Sequence, residues 1–147
     1  NDLKINVFEI SWLTDEQISM FKSDFRIVAN FFVKKRKNKN YRPDDESEIR
    51  HVDAVLKMLS AVTGDSRYEN ILSDGKGPVK NMCEVAERLE QQGREEGRKE
   101  GREEGREMLV YELVRNQTIT LQQGADALNI SVEELEEKMK KAGYTCP

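Results

Sequence analysis

Gly93-Arg94-Glu95-Glu96-Gly97-Arg98-Lys99-Glu100-Gly101-Arg102-Glu103-Glu104-Gly105-Arg106 is the stretch whose reading decides the fold. Gly93, Gly97, Gly101 and Gly105 recur at every fourth position, each followed by arginine. A helix turns about 100° per residue, so a period of four returns the glycines to nearly one face, with a drift of about 40° per repeat. They would form a slowly winding seam without side chains. Each helical glycine costs roughly 1 kcal/mol relative to alanine, about 4 kcal/mol over the run. Favourable spacings such as Glu95 to Lys99 and Lys99 to Glu103 return only a few tenths of a kcal/mol each, while the arginines repel down one column.

Taken alone, the run reads either as a solvated charged linker or as a self-associating helix whose seam admits a second backbone. A membrane helix is excluded, because every position around the glycines is charged. The flanks decide between the two. Met82, Val85, Ala86 and Leu89 lead into the repeat, and Met108, Leu109, Leu113 and Val114 follow it, with no stop signal between. This spacing predicts one long helix over 81–115. Its self-association surface would comprise Gly93, Gly97, Gly101, Gly105, Leu109 and Leu113, and a homo-oligomer is the expected state.

Composition sets the outer limits. The chain has 147 residues, 35% charged and 37% hydrophobic, with a formal net charge of -4. The hydrophobic share is below the roughly 45–50% of average globular chains, which predicts small cores rather than one large one. No apolar run approaches the roughly 18 residues of a membrane span, and the first residues are not a signal peptide. A cytoplasmic location without membrane attachment is expected. Cys83, Cys146 and the lone His51 are too few for a disulfide framework or a zinc site, so free thiols are expected. The missing initiator methionine and a strand-like opening predict a piece of a longer polypeptide.

N-terminal to the repeat, the pattern over Leu3–Ile10 reads as a strand. Thr14-Asp15-Glu16-Gln17 is a capping box, opening a helix striped by Ile18, Phe21, Phe25, Val28 and Phe32, with Met20, Ile27 and Phe31 widening the face. The helix runs into Lys34, Lys35, Arg36, Lys37 and Lys39. Cations suit a helix C-terminus, and the alternative reading is a phosphate-contacting patch for DNA. A second stripe, Ile49, Val52, Leu56 and Leu59, should end at Gly64, with His51 partly buried beside it. The hairpin would pack through Phe21, Phe25, Phe32, Val52, Leu56 and Leu59. Tyr68, Ile71 and Leu72 suggest a short helix or turn beneath it, and the glycines of 73–78 lack a phosphate-loop frame.

After the repeat, Thr120 can cap a short helix carrying Leu121, Ala125 and Leu128. Ser131-Val132-Glu133-Glu134 is an S-x-x-E capping box opening a last helix with Val132, Leu135 and Met139 inward. The outline is helix-turn-helix, but Glu133, Glu134, Glu136 and Glu137 crowd the start of the would-be recognition helix, where DNA phosphates need neutral or basic residues. A three-helix interaction module fits better. No constellation for catalysis stands out. Glu136 and Lys138 spell the E-x-K of metal-dependent nucleases, but about 200° of helix separates them, so they cannot meet on one ion.

Leu13-Thr14-Asp15-Glu16, Phe21-Lys22-Ser23-Asp24-Phe25, Asn81-Met82-Cys83-Glu84-Val85 and the glycine-arginine-glutamate repeats together resemble the C-terminal part of the Rpn family. These are recombination-promoting nucleases, also labelled PD-(D/E)XK nuclease family transposases. The resemblance covers about residues 3–108. It implies that the nuclease core, with its acidic residues, E-x-K and magnesium, lies upstream, and that no catalytic, cofactor-binding or metal-binding residue can be placed on this chain. It further implies that the upstream nuclease domain is a partner, and that such a segment can associate with itself and restrain the nuclease. The expected organisation is mainly α: a residual strand in 1–10, a helical module in 11–80, the repeat helix in 81–115 and a small helical module in 116–147. The expected role is non-catalytic self-association or regulation, with a DNA-binding accessory segment as the alternative.

Overall fold

A computed structural model describes residues 4, 5 and 7–145. The chain is mainly helical, with seven α-helices and no strand among the described residues: α1 (Asp15–Ser19), α2 (Phe25–Lys37), α3 (Val52–Thr63), α4 (Arg67–Asn70), α5 (Met82–Arg115), α6 (Leu121–Leu128) and α7 (Val132–Lys141). It divides into two compact units, Asn1–Gly93 and Arg94–Pro147.

The first unit departs from the sequence expectations at its start. Of the expected strand over Leu3–Ile10, Leu3 and Asn6 lie outside the described residues. Residues 4, 5 and 7–9 carry no regular structure, and Ile10–Trp12 form a 3-10 turn. A strand is stabilised by ladder bonds to a neighbour, and none is present among the described residues. The side chains of Ile5, Val7 and Phe8 are consequently exposed.

Thr14 caps α1 through the expected box, its hydroxyl accepting from the Gln17 N–H while the Gln17 side chain accepts from the Thr14 N–H. The single long helix expected from Thr14 is instead broken into α1 and α2. The stripe fixed the face but not the break, which falls where Asp24 turns away from its own helix. Asp24 accepts the backbone N–H groups of Arg50 (3.1 Å) and His51 (2.7 Å), just ahead of α3. A carboxylate there meets free donors and the positive end of the α3 dipole. His51 is the N-cap of α3 with an exposed ring, Nδ1 lying 3.2 Å from Asp24, and not the partly buried residue expected.

The main core gathers Ile27, Val28 and Phe31 of α2, Val55, Leu56 and Leu59 of α3, Tyr68, Ile71, and Met82 and Val85 of α5. Phe31 is buried in this cluster, whereas Phe25 and Phe32 are only partly buried against it and Phe21 is half-buried. Of the expected stripe Ile18 and Val28 are buried, as are Ile27 and Phe31 of its widened face, whereas Phe21, Phe25 and Phe32 lie at its edge and Met20 is exposed. Ile18, Ala29 and Val33 form a satellite cluster with Ile10 and Leu13. Gly64 ends α3 in the left-handed conformation at φ 71°, which glycine adopts without a Cβ clash.

The 74–77 turn is held by Arg88, whose guanidinium donates to both Asp74 oxygens at 2.8 Å and to the carbonyls of Lys76 and Gly77. Both side chains of this pair are 13% exposed, so the contact of Nη1 with the two carboxylate oxygens is screened less than a surface pair.

In the second unit, Val110, Tyr111 and Val114 pack with Ala125, Leu135 and Met139. The inward face of the last turns of α5 is therefore Val110, Tyr111 and Val114, while Met108 and Leu109 point to solvent. Thr120 supplies a complete capping box with Gln123. Asn129 ends α6 in the left-handed conformation, and Ser131 accepts the Glu134 N–H at 3.1 Å, the one half of the expected S-x-x-E box that forms. Gly124 allows α6 to approach its neighbours: an added Cβ would meet Val114 Cγ2 at 2.8 Å and Leu135 Cδ2 at 3.1 Å.

Candidate functional site

The glycine repeat lies within α5. Gly93, Gly97, Gly101 and Gly105 are exposed, and a Cβ built on any of them meets nothing within 4 Å. The contrast with Gly124 is physical: packing within the chain accounts for that glycine and not for the four in the repeat. At helical periodicity each glycine has neighbours three residues to either side. Gly97 lies between Arg94 and Glu100, and Gly101 between Arg98 and Glu104. At Gly105 the pair becomes Arg102 and Met108. An arginine column and a glutamate column therefore border the seam. The same i, i+4 ridge continues into Leu109, 56% exposed, and then Leu113, half-buried.

Beyond the repeat, Arg106 donates to the Ala127 carbonyl, and Glu107 pairs with Lys138 at 2.8 Å while accepting from the Tyr111 hydroxyl. The hydrogen bond from Lys138 is the main reason the Glu107 carboxyl is held below its usual range. Lys138, the cation of the E-x-K string, is thus engaged with another helix, and Glu136 is exposed.

The basic cluster does not form a uniform patch. Lys34 pairs with Asp44 at 2.9 Å and lies over the Tyr41 ring. Its pKa is raised, chiefly by the Asp44 hydrogen bond. Arg36 donates to the Ser11 carbonyl at 2.8 Å and stacks on Trp12, 3.9 Å from the ring centre. These two cations brace the chain. Lys35, Lys37 and Lys39 are exposed and form no ion pair among the described residues. The acidic stretch after the cluster is structural as well: Asp45 accepts from the Ser47 N–H and the Asn30 amide, and its carbonyl accepts from the Cys83 N–H.

A cleft that sequence reading missed opens beside the cluster, within the first unit. It has a volume of about 530 Å³, and Phe32, Tyr41 and Tyr68 line it together with Lys35, Lys39 and Arg42. Arg42 is held by Glu90 at 2.6 Å, and Arg67, also on the cleft, is held by Asp65. The only hint in the sequence is that Lys35 and Lys39 are four residues apart beside Tyr41.

Cys83 is a half-buried free thiol, and Cys146 lies outside the described residues. Among the described residues no three His, Cys, Asp or Glu side chains are grouped so as to hold a metal ion, and no helix is long and apolar enough to cross a membrane. No family model matches the chain, and no curated protein and no solved structure shows significant similarity to it.

Proposed function

We propose that this chain is a non-catalytic helical region of an Rpn family nuclease that associates with itself through the glycine seam of α5, and so regulates the catalytic domain it accompanies. The family assignment rests on the resemblance of the Leu13–Glu16, Phe21–Phe25 and Asn81–Val85 segments and of the repeats. The observation that carries the association is the exposed seam: four helical glycines, each forgoing roughly 1 kcal/mol of helix propensity, where an added Cβ would meet nothing within 4 Å among the described residues.

The bordering columns select an orientation. A two-fold axis running along two parallel helices brings the arginine side of one seam to the glutamate side of the other. A two-fold axis across antiparallel helices brings arginine to arginine. The parallel arrangement is therefore the complementary one. Packing of i, i+4 ridges into one another crosses helices at about -50°, so contact is confined to a few repeats and the two copies of Leu109 close one end.

Analytical ultracentrifugation of the full chain at tens of micromolar tests this. A dimer is expected, and Gly97→Leu combined with Gly101→Leu should give a monomer whose helix content is at least that of the unsubstituted chain. Leu109→Cys, in a chain also carrying Cys83→Ser and Cys146→Ser, should cross-link under mild oxidation. A monomeric wild-type chain overturns the proposal, and a dimer that the leucine variants leave intact removes the seam from it.

A further inference from the structure

Tyr68 is an aromatic side chain only 8% exposed. Its hydroxyl nevertheless makes no hydrogen bond among the described residues, and the residue lines the cleft beside α2 and α4. The hydroxyl of a buried tyrosine usually finds a partner, and this one, not itself fully buried, opens onto the cleft. Tyr111 in the second unit obeys that rule through Glu107. Burial first, and then the nearby Asp65 carboxylate, push the Tyr68 pKa up, so near neutrality the group is a donor.

The remainder of the lining has a definite chemistry. Phe32 and Tyr41 are half-buried and present ring surface to the opening. Tyr41 is fixed by donating to Asp44 at 2.8 Å. Lys35 and Lys39 supply two exposed ammonium groups with no carboxylate partner among the described residues, whereas Arg42 and Arg67 are already anchored to Glu90 and Asp65. Rings as a platform with free cations at the rim suit a flat ring carrying an anionic group. A volume of about 530 Å³ is in the range of small-ligand sites, roughly 300–1,000 Å³.

We propose that this cleft binds one nucleoside phosphate unit, the base against Phe32 and Tyr41, the phosphate on Lys35 and Lys39, and the Tyr68 hydroxyl donating to the ligand. The unit can come from a free nucleotide or from an unpaired strand. The site is separate from the seam of α5, so it stands or falls independently of the association proposed above.

Isothermal titration of the full chain with AMP, and fluorescence anisotropy with a labelled single-stranded hexanucleotide and with the same sequence as a duplex, test the proposal. Saturable binding of AMP or of the single strand is expected, with the duplex at least tenfold weaker. AMP binding alone identifies a free nucleotide as the source, and tighter binding of the hexanucleotide identifies a strand. Lys35→Glu combined with Lys39→Glu should weaken binding more than tenfold, and Tyr68→Phe severalfold, with thermal unfolding unshifted in Lys35→Glu/Lys39→Glu. Lys37→Glu, an equal charge change off the cleft, should have less than a twofold effect. No saturable binding, preference for the duplex, or equal losses in the Lys37 and Lys35/Lys39 variants overturns the site.

Discussion

The two units solve the same problem, closing short helices over a small core, by different means. In the second unit the instructions are local: Thr120 and Gln123 exchange hydrogen bonds across three residues, Asn129 turns the chain with a left-handed backbone, and Ser131 restarts it. In the first unit the decisive contacts join distant residues. Asp24 reaches the N–H groups of Arg50 and His51, Asp74 holds Arg88, and the Ile49 N–H donates to the Lys80 carbonyl at 2.8 Å. Local signals make boundaries readable from sequence. Long-range carboxylate contacts allow irregular loops, and hence a concave surface such as the cleft, because loop backbone is satisfied without helix or sheet.

The sharpest break in the comparison comes from the cores. Leu56→Ala in the first unit and Leu135→Ala in the second each remove a side chain with no exposure, and each should cost about 2–5 kcal/mol. Urea unfolding gives the magnitude. Hydrogen exchange should place the loss of protection in the mutated unit, and uniform loss across the chain would show that the units do not open separately.

Glycine substitution should separate the two uses of that residue. Gly124→Ala places a methyl against Val114 and Leu135, and overpacking of about 1–3 kcal/mol outweighs the roughly 1 kcal/mol gained in helix propensity. At concentrations where the chain is monomeric, Gly101→Ala meets open space, so it should raise helix content and add up to about 1 kcal/mol of stability. Circular dichroism melts of the two variants should shift in opposite directions.

Acid should act more gently, and first on the irregular loops. Burial pushes the Asp24 and Asp74 carboxyls up, but hydrogen bonds from Arg50 and His51 to Asp24, and from Arg88 to Asp74, outweigh it and hold both below the ordinary value of 3.8. A carboxyl depressed in the folded state stabilises the fold fully above its unfolded pKa, and that contribution is lost as pH falls through the folded value. Backbone amide resonances of 49–51 and 74–77 should therefore shift below about pH 4, before those of the Thr120 and Ser131 caps, whose hydroxyls do not titrate. Thr120→Ala, the smallest change of the series, should cost about 1 kcal/mol and remain independent of pH.

Particular residues mark how far the sequence could be read. The capping boxes at Thr14 and Thr120, the left-handed Gly64 and the inward Leu135 and Met139 follow from short-range chemistry, where the identity of a residue and its spacing suffice. The break between α1 and α2 does not, because it depends on Asp24 meeting donors more than twenty residues away. Within the expected face of α2 it is Phe31 that is buried and Phe32 only partly so, and in the second unit Val110 and Tyr111 rather than Met108 and Leu109 turned inward. A stripe of adjacent apolar residues defines a face only to within about one residue, and partners decide the rest. The basic cluster shows the limit most clearly: sequence placed five cations together, and tertiary contacts assigned Lys34 and Arg36 to bracing while leaving Lys35 and Lys39 on a cleft that no local pattern encodes. The sequence by itself determined a mainly helical chain, its local caps and a four-residue glycine period, since these depend on neighbours along the chain. Tertiary structure alone decided which charges are spent and which remain available, because an ion pair is chosen by distance in space and not by spacing in sequence.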